Sequence, residues 1–151
     1  MTLIQTGPYL TPTISPTEDQ SNTGIIGRGG ITARPDAVGN PYSGVGGDLL
    51  WNINAFAPTP AGAGRIGNAG VGILEGPGTI AVSAGLSKIF PVRERLRFRF
   101  EATFTNALNH TNFAPPASDI SSPSTFGVLQ SAQTAGQGGN RTGQLALRMD
   151  F

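Results

Sequence analysis

Three groups of residues are of types, and at spacings, that could do chemistry. Gly62-Ala63-Gly64-Arg65-Ile66-Gly67 satisfies G-x-G-x-x-G, a pattern whose glycines let a tight turn approach a pyrophosphate at a helix N-terminus. That chemistry also needs an apolar strand before the turn, a helix after it and an acid about 20 residues on. No apolar strand precedes Gly62, no helical pattern follows, and Glu75 stands too near to reach a ribose. In a chain with 22 glycines such a match arises readily by chance. His110 is the single histidine, its neighbours are Asn109 and Asn112, and the chain has no cysteine, so it reads as loop polarity rather than as a base or metal ligand. Arg95, Arg97 and Arg99 form a stripe that could hold an anion inside a lumen, or could be a hydrated wall partly neutralised by Glu101; the wall is the expectation. No nucleophile stands with a base, so no catalytic residue, bound cofactor or metal is expected.

The element that positions those arginines is the plainest in the chain. From Arg95 to Thr105, even positions up to Phe104 are apolar and odd ones are charged or polar. This two-residue period belongs to a strand, with Leu96, Phe98, Phe100, Ala102 and Phe104 on one face and Arg95, Arg97, Arg99 and Glu101 on the other. A strand of ~12 residues reaches roughly 40 Å, and a tilt of ~45° leaves roughly 28 Å of height, near the hydrocarbon thickness of a bilayer. Soluble sheets alternate too, so this stretch alone admits both a membrane barrel and a sandwich. Within their own strand the phenylalanines share their face with no basic group, which argues against a base-stacking platform and a nucleic-acid partner.

Composition narrows the class to all-β. Of 151 residues only 13% are charged and the formal net charge is +1, so no strong field recruits a charged partner. The 22 glycines and 12 prolines predict much loop and little helix. No apolar run is long enough for a spanning helix, and Met1 to Pro8 has neither the basic segment nor the apolar run of an export signal.

Read in order, residues 1–10 form the end of a strand, with Leu3 and Ile4 before a Gly7-Pro8 break. Residues 11–78 read as a long loop rich in Gly, Pro, Ser, Thr and Asn, with apolar islands at Ile25-Ile26, Leu49 to Trp51 and Ile53 to Phe56, and with Trp51 and Phe56 as anchors. Residues 79–151 carry the strands. One is expected over 79–90, where Lys88 breaks the apolar face, and a Pro91 to Glu94 turn then leads antiparallel into a strand over 95–108. A loop containing a weak strand over 126–134 and a turn over 135–140 precedes a last strand over 141–151. Counting back from the end, Phe151, Met149, Leu147 and Leu145 share one face.

A last strand with apolar residues at alternate positions and Phe151 at its end resembles the assembly signal of outer-membrane β-barrels. The run Arg97 to Phe113, Ile120-Ser121-Ser122-Pro123 with Phe126-Gly127, and Arg141 to Phe151 resemble the C-terminal end of Oar-like TonB-dependent receptors. Thr6 to Pro12, Arg34-Pro35-Asp36, Gly39-Asn40-Pro41, Trp51 with Ala55-Phe56, Gly67 to Gly70 and Gly76-Pro77-Gly78 resemble that family in the same order. The resemblance implies the end of a barrel of about 22 strands around a plug, moving a bulky ligand with energy passed on by TonB. It implies a larger parent chain in the outer membrane, in which Met1 is internal and whose plug and TonB-contacting segment lie elsewhere.

The resulting expectation is an antiparallel meander of about four long strands with long Gly/Pro-rich loops, a partial outer-membrane β-barrel. Leu96, Phe98, Phe100 and Phe104 would face lipid, Arg95, Arg97, Arg99 and Glu101 the lumen, and Leu145, Leu147, Met149 and Phe151 would be the assembly signal. Its partners would be outer-membrane lipid, the barrel-assembly machinery and the remaining barrel and plug. Barrel C-termini face the periplasm and long loops face outward, which places 126–134 in an outer loop. The alternative is a soluble β-rich module, self-associating or adhesin-like, whose phenylalanines pack a core.

Overall fold

A computed structural model of the chain describes residues 1–15, 33–93, 96–134 and 138–151. Ile25, Ile26, Glu94, Arg95 and residues 135–137 of the expected turn therefore lie outside the described residues. In chain order the strands among the described residues are β1 (Thr2–Gln5), β2 (Tyr9–Leu10), β3 (Asp36–Ala37), β4 (Phe56–Ala57), β5 (Leu74–Glu75), β6 (Thr79–Val82), β7 (Ala84–Arg93), β8 (Leu96–Thr105) and β9 (Thr142–Asp150), with a 3-10 turn at Ile53–Ala55. Every strand pair is antiparallel, and no α-helix occurs among the described residues. The fold is all-β as expected, and its sheets do not close into a barrel.

The chain divides into two compact units. The first comprises Met1–Thr6, Gly78–Phe113 and Ser131–Phe151. Its main sheet has the order β7-β8-β9, with β8 in the centre, and β1 pairs separately with β6. The stretch expected as one strand over 79–90 is two: β6 pairs with β1, β7 pairs with β8, and Ser83 lies between them. The strand also runs on through Pro91, Val92 and Arg93, which sequence placed in the turn. Proline lacks the N–H of the ladder and is tolerated where that side of the strand is free, and β7 is an edge strand. β8 stops before Asn106, whose φ of 47° leaves the extended region.

The second unit comprises Gly7–Pro77 and Ala114–Gln130. The expected long loop, over its described part, is thus a packed body with a core of its own. Trp51 is wholly buried and donates its indole N–H to the Glu75 carbonyl at 3.0 Å. Its ring meets Phe126 edge-on at 6.0 Å, and Phe126 meets Phe56 at 5.8 Å. Leu74, Ala69, Ile14 and Ile120 complete the cluster. The weak strand expected over 126–134 does not form; only isolated bridges occur there, such as Leu49 with Val128. Phe126 supplies a core ring instead, and the segment is held by Leu50 N–H to the Gly127 carbonyl and Leu129 N–H to that of Asp48. Short strands tied by backbone bonds can bury aromatic rings without the long regular stretches that sequence periodicity detects.

Candidate functional site

The β7-β8-β9 sheet is the surface on which the candidate residues converge. Directly opposed residues of antiparallel strands share a face. Phe98 stands between Phe90 and Met149, Phe100 between Lys88 and Leu147, Ala102 between Leu86 and Leu145, and Phe104 between Ala84 and Gly143. Leu96, Phe98, Phe100 and Phe104 therefore form one surface with Leu145, Leu147 and Met149, two sets that sequence treated as separate sites. Phe104 also covers its neighbour: a Cβ on Gly143 would fall 2.8 Å from the Phe104 ring. Leu86, Leu145 and Leu147 leave 66%, 67% and 70% of their surface open. Phe151 lies just beyond β9 and is 94% exposed.

The opposite face is polar. Its rows are Pro91, Arg97 and Asp150; Ile89, Arg99 and Arg148; Ser87, Glu101 and Ala146; and Gly85, Thr103 and Gln144. Arg99 approaches Glu101 at 3.6 Å and Arg148 approaches Asp150 at 2.9 Å, while the hydroxyls of Thr105 and Thr142 meet at 2.6 Å. These ion pairs are half in solvent and contribute little to stability, about 1 kcal/mol or less each. Arg97, Arg99 and Glu101 lie together on this face; Arg95 is outside the described residues.

At the Thr105 end of β8, two buried asparagines that sequence passed over organise the connection. Asn112 turns its side-chain amide to the backbone of Ile80, accepting from the N–H at 2.8 Å and donating to the carbonyl at 2.9 Å. Ile80 pairs with Ile4 in the β1–β6 ladder, so the amide continues that ladder as a neighbouring strand would. Asn106 donates to the carbonyls of His110 and Gly139, each at 2.7 Å, and accepts from the His110 N–H at 3.0 Å. His110 Nδ1 rests 3.2 Å from Asn112 Oδ1. The signal available in sequence was asparagine's ease at positive φ, used here by Asn106 and Asn109 at 47° and 52°.

The glycine motif has a local explanation. Arg65 makes a paired contact with Asp36 at 2.7 and 2.8 Å, and the Asn68 N–H adds a bond to Asp36 at 2.9 Å. The Arg65 bonds foremost, then that of Asn68, hold the Asp36 carboxyl below the usual carboxylate range, although partial burial opposes them. Gly67 donates to the Arg34 carbonyl at 3.0 Å and passes so close that a Cβ there would lie 2.1 Å from that oxygen. Its missing side chain serves chain against chain. No helix follows the motif.

The described residues bring no group of three metal-ligating side chains together. The family model described as Outer membrane beta barrel domain matches residues 1–144. No curated protein and no solved structure matches the chain.

Proposed function

Because the chain belongs to the outer membrane beta barrel domain family, we propose that it forms the C-terminal part of the barrel of an Oar-like TonB-dependent receptor. It contributes wall, outer loops and the assembly signal of a non-enzymatic transporter. The observation that carries the reading is the two-faced sheet. Its apolar face runs across β7, β8 and β9, interrupted at Lys88, and its polar face bears Arg97, Arg99, Glu101, Arg148 and Asp150. Lipid against the first and a hydrated interior against the second is the environment such alternation fits. Leu145, Leu147, Met149 and Phe151 are the segment offered to the assembly machinery. Residues 11–78 supply the long outer loop, and the wall's inner face meets the plug.

Photo-crosslinking from position 99 tests the receptor reading. With a photoreactive residue replacing Arg99 in the assembled outer-membrane protein, irradiation should join β8 to a plug folded within the same barrel. A barrel that assembles normally and yields no such adduct from position 99 or 101 would remove the plugged-receptor reading while leaving the barrel wall intact.

A further inference from the structure

The apolar face of the β7-β8-β9 sheet carries two cations. Lys88 shares the row of Phe100 and Leu147. Its Nζ lies 5.2 Å from the centre of the Phe90 ring, two residues further along β7, so the side chain leans toward the Arg93 end of the strand. The ladder slips between Pro91 and Arg93: Pro91 opposes Arg97, and Arg93 opposes Leu96. An unbroken ladder would set Val92 opposite Leu96 and turn Arg93 to the polar face. The extra residue instead places Arg93 in the row of Leu96, on the same face as Lys88.

The acids of the sheet are elsewhere. Glu101 and Asp150 both stand on the opposite face, paired with Arg99 and Arg148. Among the described residues no acidic side chain shares the face of Lys88 and Arg93. An ammonium and a guanidinium therefore flank Phe90 at one rim of an apolar surface, with charge complementary to an anion that itself carries hydrocarbon. Lys88 stands about 7 Å of strand inside the Phe90 row, a distance that a lysine stem reaching along the ring largely spans.

We propose that Lys88 and Arg93 bind the headgroup phosphate of a phospholipid, in the leaflet on the side where β7 gives way to β8; this rests on the reading that the apolar face meets acyl chains. Phosphate oxygens accept from Lys88 Nζ and from the Arg93 guanidinium, and the acyl chains lie along Phe90, Phe98 and Met149. The bulge at Val92 is the device that brings the guanidinium round to the lipid.

Native mass spectrometry of the full chain in maltoside micelles carrying a trace of phosphatidylglycerol tests this. The wild type should retain phosphatidylglycerol, and Lys88→Gln with Arg93→Gln should weaken retention by roughly twenty-fivefold, about fivefold for each cation at an anionic lipid surface. Arg97→Gln with Arg148→Gln, on the other face, should leave it unchanged. Inorganic phosphate in excess should not displace the lipid; displacement would make this a free-phosphate site and overturn the assignment. A nitroxide on Leu86→Cys, in a chain without native cysteine, reports separately whether the face is in hydrocarbon. Label in hydrocarbon with retention unaltered in the Lys88, Arg93 variant overturns the phosphate site alone. Label in water overturns the lipid-facing reading and the site with it.

Discussion

Asn112 stands in for a strand with one side chain. Its amide meets both the N–H and the carbonyl of Ile80, and the residue is itself only 1% exposed. Asn112→Ala removes both of these part-buried hydrogen bonds, at a cost of about 1–3 kcal/mol for the two together. Hydrogen exchange should show it directly: the Ile80 amide loses protection selectively while amides in the centre of β8 keep theirs. Asp36 makes a different prediction. Its pKa is lowered in the folded chain, so the unfolded chain binds the proton more readily and the pair's contribution is present above the ordinary carboxylate range. Stability of the Trp51 unit should therefore be flat from pH 7 to 5 and fall below about pH 4, and Asp36→Asn should remove that fall. Thermal unfolding followed by Trp51 fluorescence reads it. Neither residue was legible beforehand. The partner of Asn112 is a backbone group 32 residues away, and that of Asp36 lies 29 away inside a motif whose glycines suggested phosphate.

At the scale of the element, the faces of β8 and β9 were legible and the ends of β7 were not. A two-residue period leaves only two ways to place a strand, and Phe98, Phe100, Leu145 and Leu147 choose one. Strand ends depend on what pairs alongside. Pro91 reads as a turn because proline so often sits in one, yet on an edge its absent N–H costs no ladder bond. Phe126 to Thr134 misled for the reverse reason: its aromatic residue, Phe126, serves the Trp51 core, without a ladder. The end of β9 carries its own prediction. Phe151→Glu in the assembled protein's full-length chain should abolish heat-modifiable barrel while leaving synthesis unchanged. A normal yield of folded barrel on gel mobility would discard the assembly role of Leu145, Leu147, Met149 and Phe151.

For the whole molecule the decisive property is that its main sheet ends in two strands, β7 and β9, each paired on one side only among the described residues. In hydrocarbon, unpaired backbone groups cost several kcal/mol each, so a spanning sheet needs both edges covered. Within a barrel, further strands cover them; a soluble module would have to cover them with copies of itself and bury Phe98, Phe100 and Leu147 in the contact. The two accounts thus differ in what touches the apolar face. The direct measurement is a nitroxide scan of β9, placing one label at a time from Gln144 to Asp150 in the protein assembled in outer membranes. Accessibility to oxygen and to a water-soluble nickel complex should alternate residue by residue, with 145, 147 and 149 in hydrocarbon and 144, 146, 148 and 150 in water. Accessibility without alternation, or with 145, 147 and 149 shielded from both reagents as in a protein core, would contradict the barrel-wall account.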